Sequence, residues 1–405
     1  MIQINNKFIK KILRTSEKFK QIQGQTNPFP FLIEIDYAKG SYIYDKQGKP
    51  YLDMIAGVAV NNIGHNHPEV VKALKAQIDR HLHVMVYGEF IQDAPLEMAE
   101  RLTAILPDAL NSVYAVNSGT EANEAAIKLA KRVTARREII SCYGAYHGST
   151  NGSLSLSSKE LKKKPFEPLM PEVNFIHHNL FEDLDLITDK TAGVFIEPIQ
   201  GDAGVRKASN EYLLALRKRC DETGAQLIFD EIQCGMGRSG MNFTFEHSGV
   251  VPDILTLGKA LGGGMPIGAL VSSQEKLDLF SHDPILGHIT TFGGHPVVCA
   301  AAAAGLKVLS GIDYTEVESI GQFIEDELLK HQLVKEVRRV GYMFAIDMKN
   351  AEVVNQIVMK CMEKGLISFW FLSHPESFRL SPPLTLSRKE AEKALAIIIE
   401  VMNEI

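Results

Sequence analysis

Cysteine is scarce in this 405-residue chain: Cys142, Cys220, Cys234, Cys299 and Cys361, with no CxxC pair among them. That spacing supplies neither a zinc ribbon nor a redox pair, and it predicts a reducing, cytoplasmic setting. Long apolar runs are missing too. The longest, Val297 to Leu306, stops at Lys307, well short of the ~18 residues a membrane helix needs. The opening MIQINNKFIKK has basic residues without an apolar stretch behind them, which argues against a secretory signal. Neither sign of charge dominates: 43 Lys+Arg against 49 Asp+Glu leaves a net charge of −6. No nucleic-acid or membrane partner is therefore expected. There is no GxxxxGK[ST] loop for a nucleoside triphosphate, no internal repeat and no low-complexity segment.

What is present looks globular. Hydrophobic residues make up 45% and charged residues 23% of the chain, which excludes a disordered class. From about residue 110 to 275 short apolar runs alternate with amphipathic stretches. Strands are predicted at Val113–Val116, Glu138–Cys142, Val173–His177, Gly193–Ile196, Leu227–Asp230, Ile254–Leu257 and Ile267–Ser272. Helices such as Thr120–Arg136 and Glu211–Glu222 lie between them. The alternation predicts an α/β fold with a mostly parallel sheet, and runs like QLIFD suit strands covered on both faces. The last hundred residues read as a smaller α+β domain. A long helix near Tyr314–Val337 precedes a strand at Tyr342–Met348, a helix at Ala351–Lys364, and a last helix opened by the capping box Ser387–Glu390. The expected division is an N-terminal segment, 1–60, a large domain, 61–308, and a small C-terminal domain, 309–405.

Three stretches carry chemistry. In NSGTEANE (117–124) a predicted strand runs into Ser118, Gly119 and Thr120, and a helix follows at once. Free N–H groups, a glycine and two hydroxyls at a helix start suit an anion, although an ordinary capped helix has the same spacing. In QLIFDE (226–231) an apolar strand ends in Asp230, at the sheet edge where open α/β folds bind ligands. Such an acid holds a cationic ring nitrogen or a metal, or is simply a loop acid. In DILTLGKALGGG (253–264) Lys259 follows an apolar strand beside three glycines. A desolvated lysine is more readily neutral, and a neutral amine condenses with a carbonyl; the alternative is a solvated loop lysine.

Two decoys are set aside. GMGRSG (235–240) matches GxGxxG, but MNFTFE alternates like a strand behind it and no helix opens, so it is not a dinucleotide loop. His65 and His67, His81 and His83, and the pair His177–His178 lack a third ligand, so no metal is expected. Taken together, a helix-start phosphate cup, a strand-end carboxylate and a strand-end lysine 29 residues later are what pyridoxal 5'-phosphate requires. The cup takes the phosphate, the acid keeps the ring nitrogen protonated, and the lysine carries the aldehyde and moves a proton.

The motifs resemble those of class III, fold-type I aminotransferases, of the acetylornithine, ornithine and 4-aminobutyrate branch. They run in order from YLDMIAGVAVNNIGHNHP (51–68) through NSGTEANE, GAYHG (144–148), IEPIQGDAG (196–204), FDEIQCGMGRSG (229–240), LGKALGGGMPIGA (257–269) and TTFGGHPV (290–297) to FRLSPPLTLS (378–387). The resemblance implies a large pyridoxal-phosphate domain and a homodimer. It makes Lys259 the cofactor lysine and Asp230 the partner of the ring nitrogen. Ser118, Gly119 and Thr120 would take the phosphate, and Tyr146 and His147 of GAYHG would contact the ring. Gln233 would sit near the phenolic oxygen, and Thr291 would reach the neighbouring subunit's phosphate. Glu197 and Arg379 would handle substrate: the arginine grips the α-carboxylate of glutamate or 2-oxoglutarate, and the glutamate neutralises it otherwise. On residue chemistry alone the two can also be a structural ion pair.

The chain departs from that branch at two places. Ser149 stands where an arginine usually contacts a carboxylate of the amino donor, and Val58 replaces the ornithine-type tyrosine. The run Lys162–Lys164 reads as a solvated loop and is not assigned to the missing contact. The expected activity is ping-pong transfer of an amino group between an amine or amino acid and 2-oxoglutarate. An aminomutase or racemase on the same fold is the alternative, and a non-catalytic cofactor-binding protein a remote one.

Overall fold

The computed structural model describes residues 15–405. The opening MIQINNKFIKK and its missing signal lie outside the described residues. The seven strands expected from the apolar runs form one sheet: β1 (Ser112–Val116), β2 (Glu138–Cys142), β3 (Val173–Ile176), β4 (Thr191–Ile196), β5 (Gln226–Asp230), β6 (Ile254–Leu257) and β7 (Gly268–Ser272). Their spatial order is β1-β7-β6-β5-β4-β2-β3. All neighbours are parallel except β7, which runs antiparallel to both β6 and β1.

Each central strand is buried along its whole length because each faces protein on both sides. Phe195, Ile228, Ile254 and Leu270 pack beneath helix α1 (Gly119–Thr134) with Ala126, Leu129 and Ala130. Their chain neighbours Val194, Leu227, Phe229 and Leu255 point to the other face. There they join one core with Tyr212, Leu216 and the helix α2 (Pro296–Leu309). The alanines of 300–304 lie inside α2, where small side chains let it approach its neighbours.

The last part of the chain departs from expectation in one element. The helix α3 ends at Leu329 (Tyr314–Leu329), and Glu336–Val340 is a strand, β8, rather than the end of a helix near Val337. His331 turns the chain by accepting from Leu333 N at 3.2 Å, and β8 then pairs antiparallel with β9 (Met343–Asp347). With β10 (Phe369–Trp370) and β11 (Ser377–Leu380) they form a four-stranded sheet ordered β8-β9-β11-β10. The helices α4 (Ala351–Glu363) and α5 (Arg388–Asn403) complete this unit, and α5 has the expected capping box, with Ser387 N donating to Glu390 at 2.8 Å. A short strand, Leu366–Ile367, pairs in parallel with Pro50–Asp53, so the N-terminal three-stranded sheet is completed by the C-terminal part of the chain.

No single described helix is long and apolar enough to cross a membrane. Among the described residues no group of three or more His, Cys, Asp or Glu is arranged to hold a metal. His65 instead pairs with Asp53 at 2.7 Å and His177 with Asp183 at 2.8 Å, while His83 stacks on His295. The segment after GMGRSG is not a strand but a single 3-10 turn, Thr244–His247, whose N–H groups are taken up by buried Glu231.

Candidate active site

The carboxyl ends of β5 and β6 and the start of α1 meet at one point, and glycines make the meeting possible. A Cβ on Gly258 would lie 3.3 Å from Gly119 Cα, and one on Gly268 would lie 2.0 Å from Ser118 O. Ser118 caps α1 by accepting from Glu121 N at 3.3 Å. Glu121 does not bond back to Ser118; its Oε2 accepts from Asn117 N at 2.7 Å and Asn117 Nδ2 at 2.9 Å. The N–H groups of Gly119 and Thr120 donate to no described group, so two unsatisfied donors and the helix dipole are concentrated at this turn. The Thr120 hydroxyl lies 2.8 Å from that of Thr150.

Asp230 ends β5 on the face it shares with Ile228, the face beneath α1. It is buried and accepts three hydrogen bonds: His147 Nδ1 at 2.7 Å and Asn123 Nδ2 at 2.8 Å on Oδ2, and Ile232 N at 3.0 Å on Oδ1. Burial by itself would depress the His147 pKa. The hydrogen bond to Asp230 and the charges of Asp230 and Glu197 outweigh it and raise it above the ordinary value. Asn123 also donates to His147 O at 2.7 Å, which fixes the GAYHG loop against the helix. Sequence reasoning missed Asn123. Its signal was a polar residue on the buried face of an amphipathic helix, in line with Ala126 and Ala130.

Lys259 follows β6 with φ +44°, in the left-handed region that lysine seldom enters. Such backbone costs about 1–3 kcal/mol and clusters at functional positions. Burial pushes its ammonium pKa down, opposed by the charges of Asp230 and Glu197, and it makes no hydrogen bond to a described residue. Tyr146 leaves its ring exposed, while its N–H donates to Glu197 Oε1 at 2.9 Å. Gln233 lies so close over Gly201 that a Cβ there would meet its Oε1 at 1.8 Å.

The expected pairing of Glu197 with Arg379 does not occur. Glu197 is buried and engaged by the N–H groups of Tyr146 and, at 3.2 Å, Gly201; burial pushes its pKa up to about 7, against the opposing charge of His147. Arg379, on β11, instead meets Asp202 at 3.3 Å, with its guanidinium 4.3 Å from the centre of the Phe371 ring. Asp202 comes from the IQGDAG turn, five residues beyond Glu197 in the same motif, and also accepts from Leu372 N at 3.1 Å and from the Ser373 hydroxyl. Asp202, rather than the Glu197 implied by the resemblance, is thus the acid that the Arg379 guanidinium meets. Lys162 is a second correction: it belongs to a short helix, Glu160–Lys163, and its Nζ lies 3.6 Å from Asp202 and 5.7 Å from the centre of the Tyr146 ring.

Of the other expected residues, Thr291 is exposed and makes no hydrogen bond to the cleft in its own chain. Its loop borders an open groove of about 580 Å³ lined by Phe90, Ile91, Phe280, Ile285, Leu286 and Ile289.

The donor set suits pyridoxal phosphate: two free N–H groups for a phosphate, a buried triply bonded carboxylate for a cationic ring nitrogen, and a lysine with no hydrogen-bonded partner for an aldehyde. Comparison with known proteins agrees. The class-III aminotransferase family profile matches residues 23–402. The acetylornithine aminotransferase of Methanocaldococcus jannaschii is 40% identical over 383 residues, 91% of this chain and 92% of that protein. The putrescine aminotransferase of Pectobacterium atrosepticum is 37% identical over 384 residues, 90% of this chain and 81% of that protein. A solved ornithine aminotransferase from Toxoplasma gondii, with PLP partially occupying its active site, superposes with a TM-score of 0.90 at 29% identity, covering 100% of this chain and 99% of that one. The chain belongs to the class III aminotransferases, enzymes that use pyridoxal phosphate.

Proposed function

We propose that this aminotransferase moves an amino group from an amine or amino acid to 2-oxoglutarate, with Lys259 as the residue that transfers the proton. The observation that carries this reading is the buried Asp230, held by His147 and Asn123 next to a lysine that burial makes readily neutral. When bound, pyridoxal phosphate supplies an aldehyde that condenses with amines and a ring that accepts the electron pair of a breaking C–H bond.

The residues divide the work. Gly119 and Thr120 would hold the phosphate through their free N–H groups, with Ser118 shaping the turn. Asp230 keeps a proton on the ring nitrogen, His147 and Asn123 keep Asp230 oriented, and Tyr146 offers its ring as a stacking face. Gln233 would face the phenolic oxygen. Lys259 would take the proton from the donor carbon that bears the amine and would give it up again beyond the nitrogen to complete the transfer. Arg379 would bind a carboxylate of glutamate or 2-oxoglutarate, and Asp202 neutralises it when none is there. Glu197 supports the GAYHG loop from below rather than acting on Arg379. Its role as a substrate residue is thus indirect, through Tyr146.

We assign residues 61–308 to the cofactor-binding domain and 309–405 to the smaller domain that carries Arg379, with 1–60 as an N-terminal segment. The apolar groove beside Thr291 supports a homodimer with shared sites. Five buried, unpaired cysteines support a cytoplasmic location. The relatives are aminotransferases, so the aminomutase and racemase alternatives are not favoured.

The test is optical. Protein loaded with pyridoxal phosphate should lose its yellow absorbance on adding L-glutamate and regain it with 2-oxoglutarate. Lys259→Ala should abolish the cycle. A yellow protein indifferent to glutamate rejects the substrate pair, and full turnover by the alanine variant rejects the role of Lys259.

A further inference from the structure

Arg379 and Lys162 share one carboxylate. Asp202 accepts Arg379 on Oδ1 at 3.3 Å, while Lys162 Nζ stands 3.6 Å from Oδ2, an ion pair without a hydrogen bond. Lys159 is close enough that the charges of Lys162 and Asp202 both act on it. Two cations therefore pair with a single acid, and the charge of a third, Lys159, is felt there. The two partners of Asp202 differ in kind. Arg379 is buried; the Lys162 side chain is 33% exposed, so its ammonium keeps access to solvent and its pairing with Asp202 is easily exchanged. Lys162 also looks onto the exposed Tyr146 ring at 5.7 Å, and the Tyr146 hydroxyl lies 3.4 Å from Ser149 Oγ. Lys162 and Ser149 thus flank the same ring, one a cation and the other neutral.

We propose that Lys162 is a specificity-determining residue whose ammonium binds a carboxylate carried by the amine substrate away from its reacting nitrogen. This rests on the aminotransfer reading above. Ser149 has no charge to offer such a group. Lys162 brings one to the same ring from a different element, and a substrate carboxylate takes over the position of Asp202 Oδ2. The substrate class that follows is an ω-amino acid or acylated diamino acid, with its charge set back from the amine. A carboxylate-free diamine meets excess positive charge there and gains nothing.

The experiment compares acetylornithine, which has a carboxylate, with putrescine, which has none. Each is read as kcat/KM with 2-oxoglutarate, or as inhibition of the glutamate half-reaction where a donor does not turn over. Lys162→Met should lower the acetylornithine-to-putrescine ratio by about 10- to 100-fold, mainly through KM. Lys162→Arg should keep the ratio within a few-fold of wild type. Adding Ser149→Arg to Lys162→Met should restore it, because the new cation lies beside the same ring. An unaltered ratio in Lys162→Met overturns the proposal, and so does an equal loss for both donors, which would make Lys162 only a brace for Asp202. A wild-type protein that fails to cycle with glutamate withdraws the aminotransfer reading itself, whatever the lysine variants do.

Discussion

Asn123 illustrates how much a single buried amide contributes. It sits one turn into α1, fully buried, and its two N–H hydrogens go to Asp230 Oδ2 and His147 O at 2.8 and 2.7 Å. Removing it leaves Asp230 with two partners instead of three and unties the loop that carries Tyr146. An unsatisfied buried group costs about 1–3 kcal/mol, which converts to roughly 5- to 150-fold in affinity. Asn123→Ala is therefore expected to weaken pyridoxal phosphate binding within that range, measured by titrating cofactor into apoprotein. If Asn123 only fills space, the variant will unfold at lower temperature but bind cofactor as before. Asp230, Lys259 and the Ser118–Thr120 turn were legible in the sequence because each sits at a strand end or helix start, where the pattern changes. Asn123 and Asp202 were not, since their roles depend on which strand lies beside which helix and which turn lies under β11. The family resemblance implied Glu197 as the acid that neutralises Arg379, whereas the fold brings Asp202 of the following turn to it.

At the scale of elements, the site depends on how close β7 comes to the entry of α1. Gly268 pairs with Val116 across the β7–β1 ladder, and a Cβ there would collide with Ser118 O at 2.0 Å and Val116 Cγ2 at 2.9 Å. A carbonyl fixed in a helix cap cannot step aside as a flexible side chain can. Gly268→Ala should force the strand and the cap apart, at about 1–3 kcal/mol or more. The expected result is a lower melting temperature together with faster loss of cofactor on dilution. Gly24→Ala, where nothing lies within 4 Å, is the control and should change neither. Strand positions were readable because both-face burial leaves an apolar run bounded by polar residues. The stretch after Leu329 was misread because Val334 and Val337 continue an apolar spacing compatible with a helix. Only the pairing of β8 with β9 shows that Val337 faces a sheet core.

For the whole molecule, the feature that asks for a partner is the groove beside Thr291. Ile91 is 93% exposed and Ile285 79% exposed, and both line it with Phe90 and Leu286. Apolar side chains at that exposure gain about 25 cal/mol for each Å² covered, so a second copy of the chain has a strong reason to dock there. The proposed dimer also gives Thr291 a function that it lacks within its own subunit. In a two-fold dimer each site would combine Lys259 of one chain with Thr291 of the other. Two inactive variants can then repair each other. Lys259→Ala lacks the proposed proton-transfer group, and Thr291→Glu places a negative charge where the partner's phosphate would be held. Separately, both should turn over poorly. After mixing, unfolding and refolding together, half of the dimers are mixed, and each of these carries one intact site and one doubly altered site. Activity should recover to about a quarter of the wild-type value. No recovery, with sedimentation showing that mixed dimers had formed, would reject a shared site. Adding Ile285→Asp to both chains should drive the protein to monomers, and the recovered activity should disappear with the dimer.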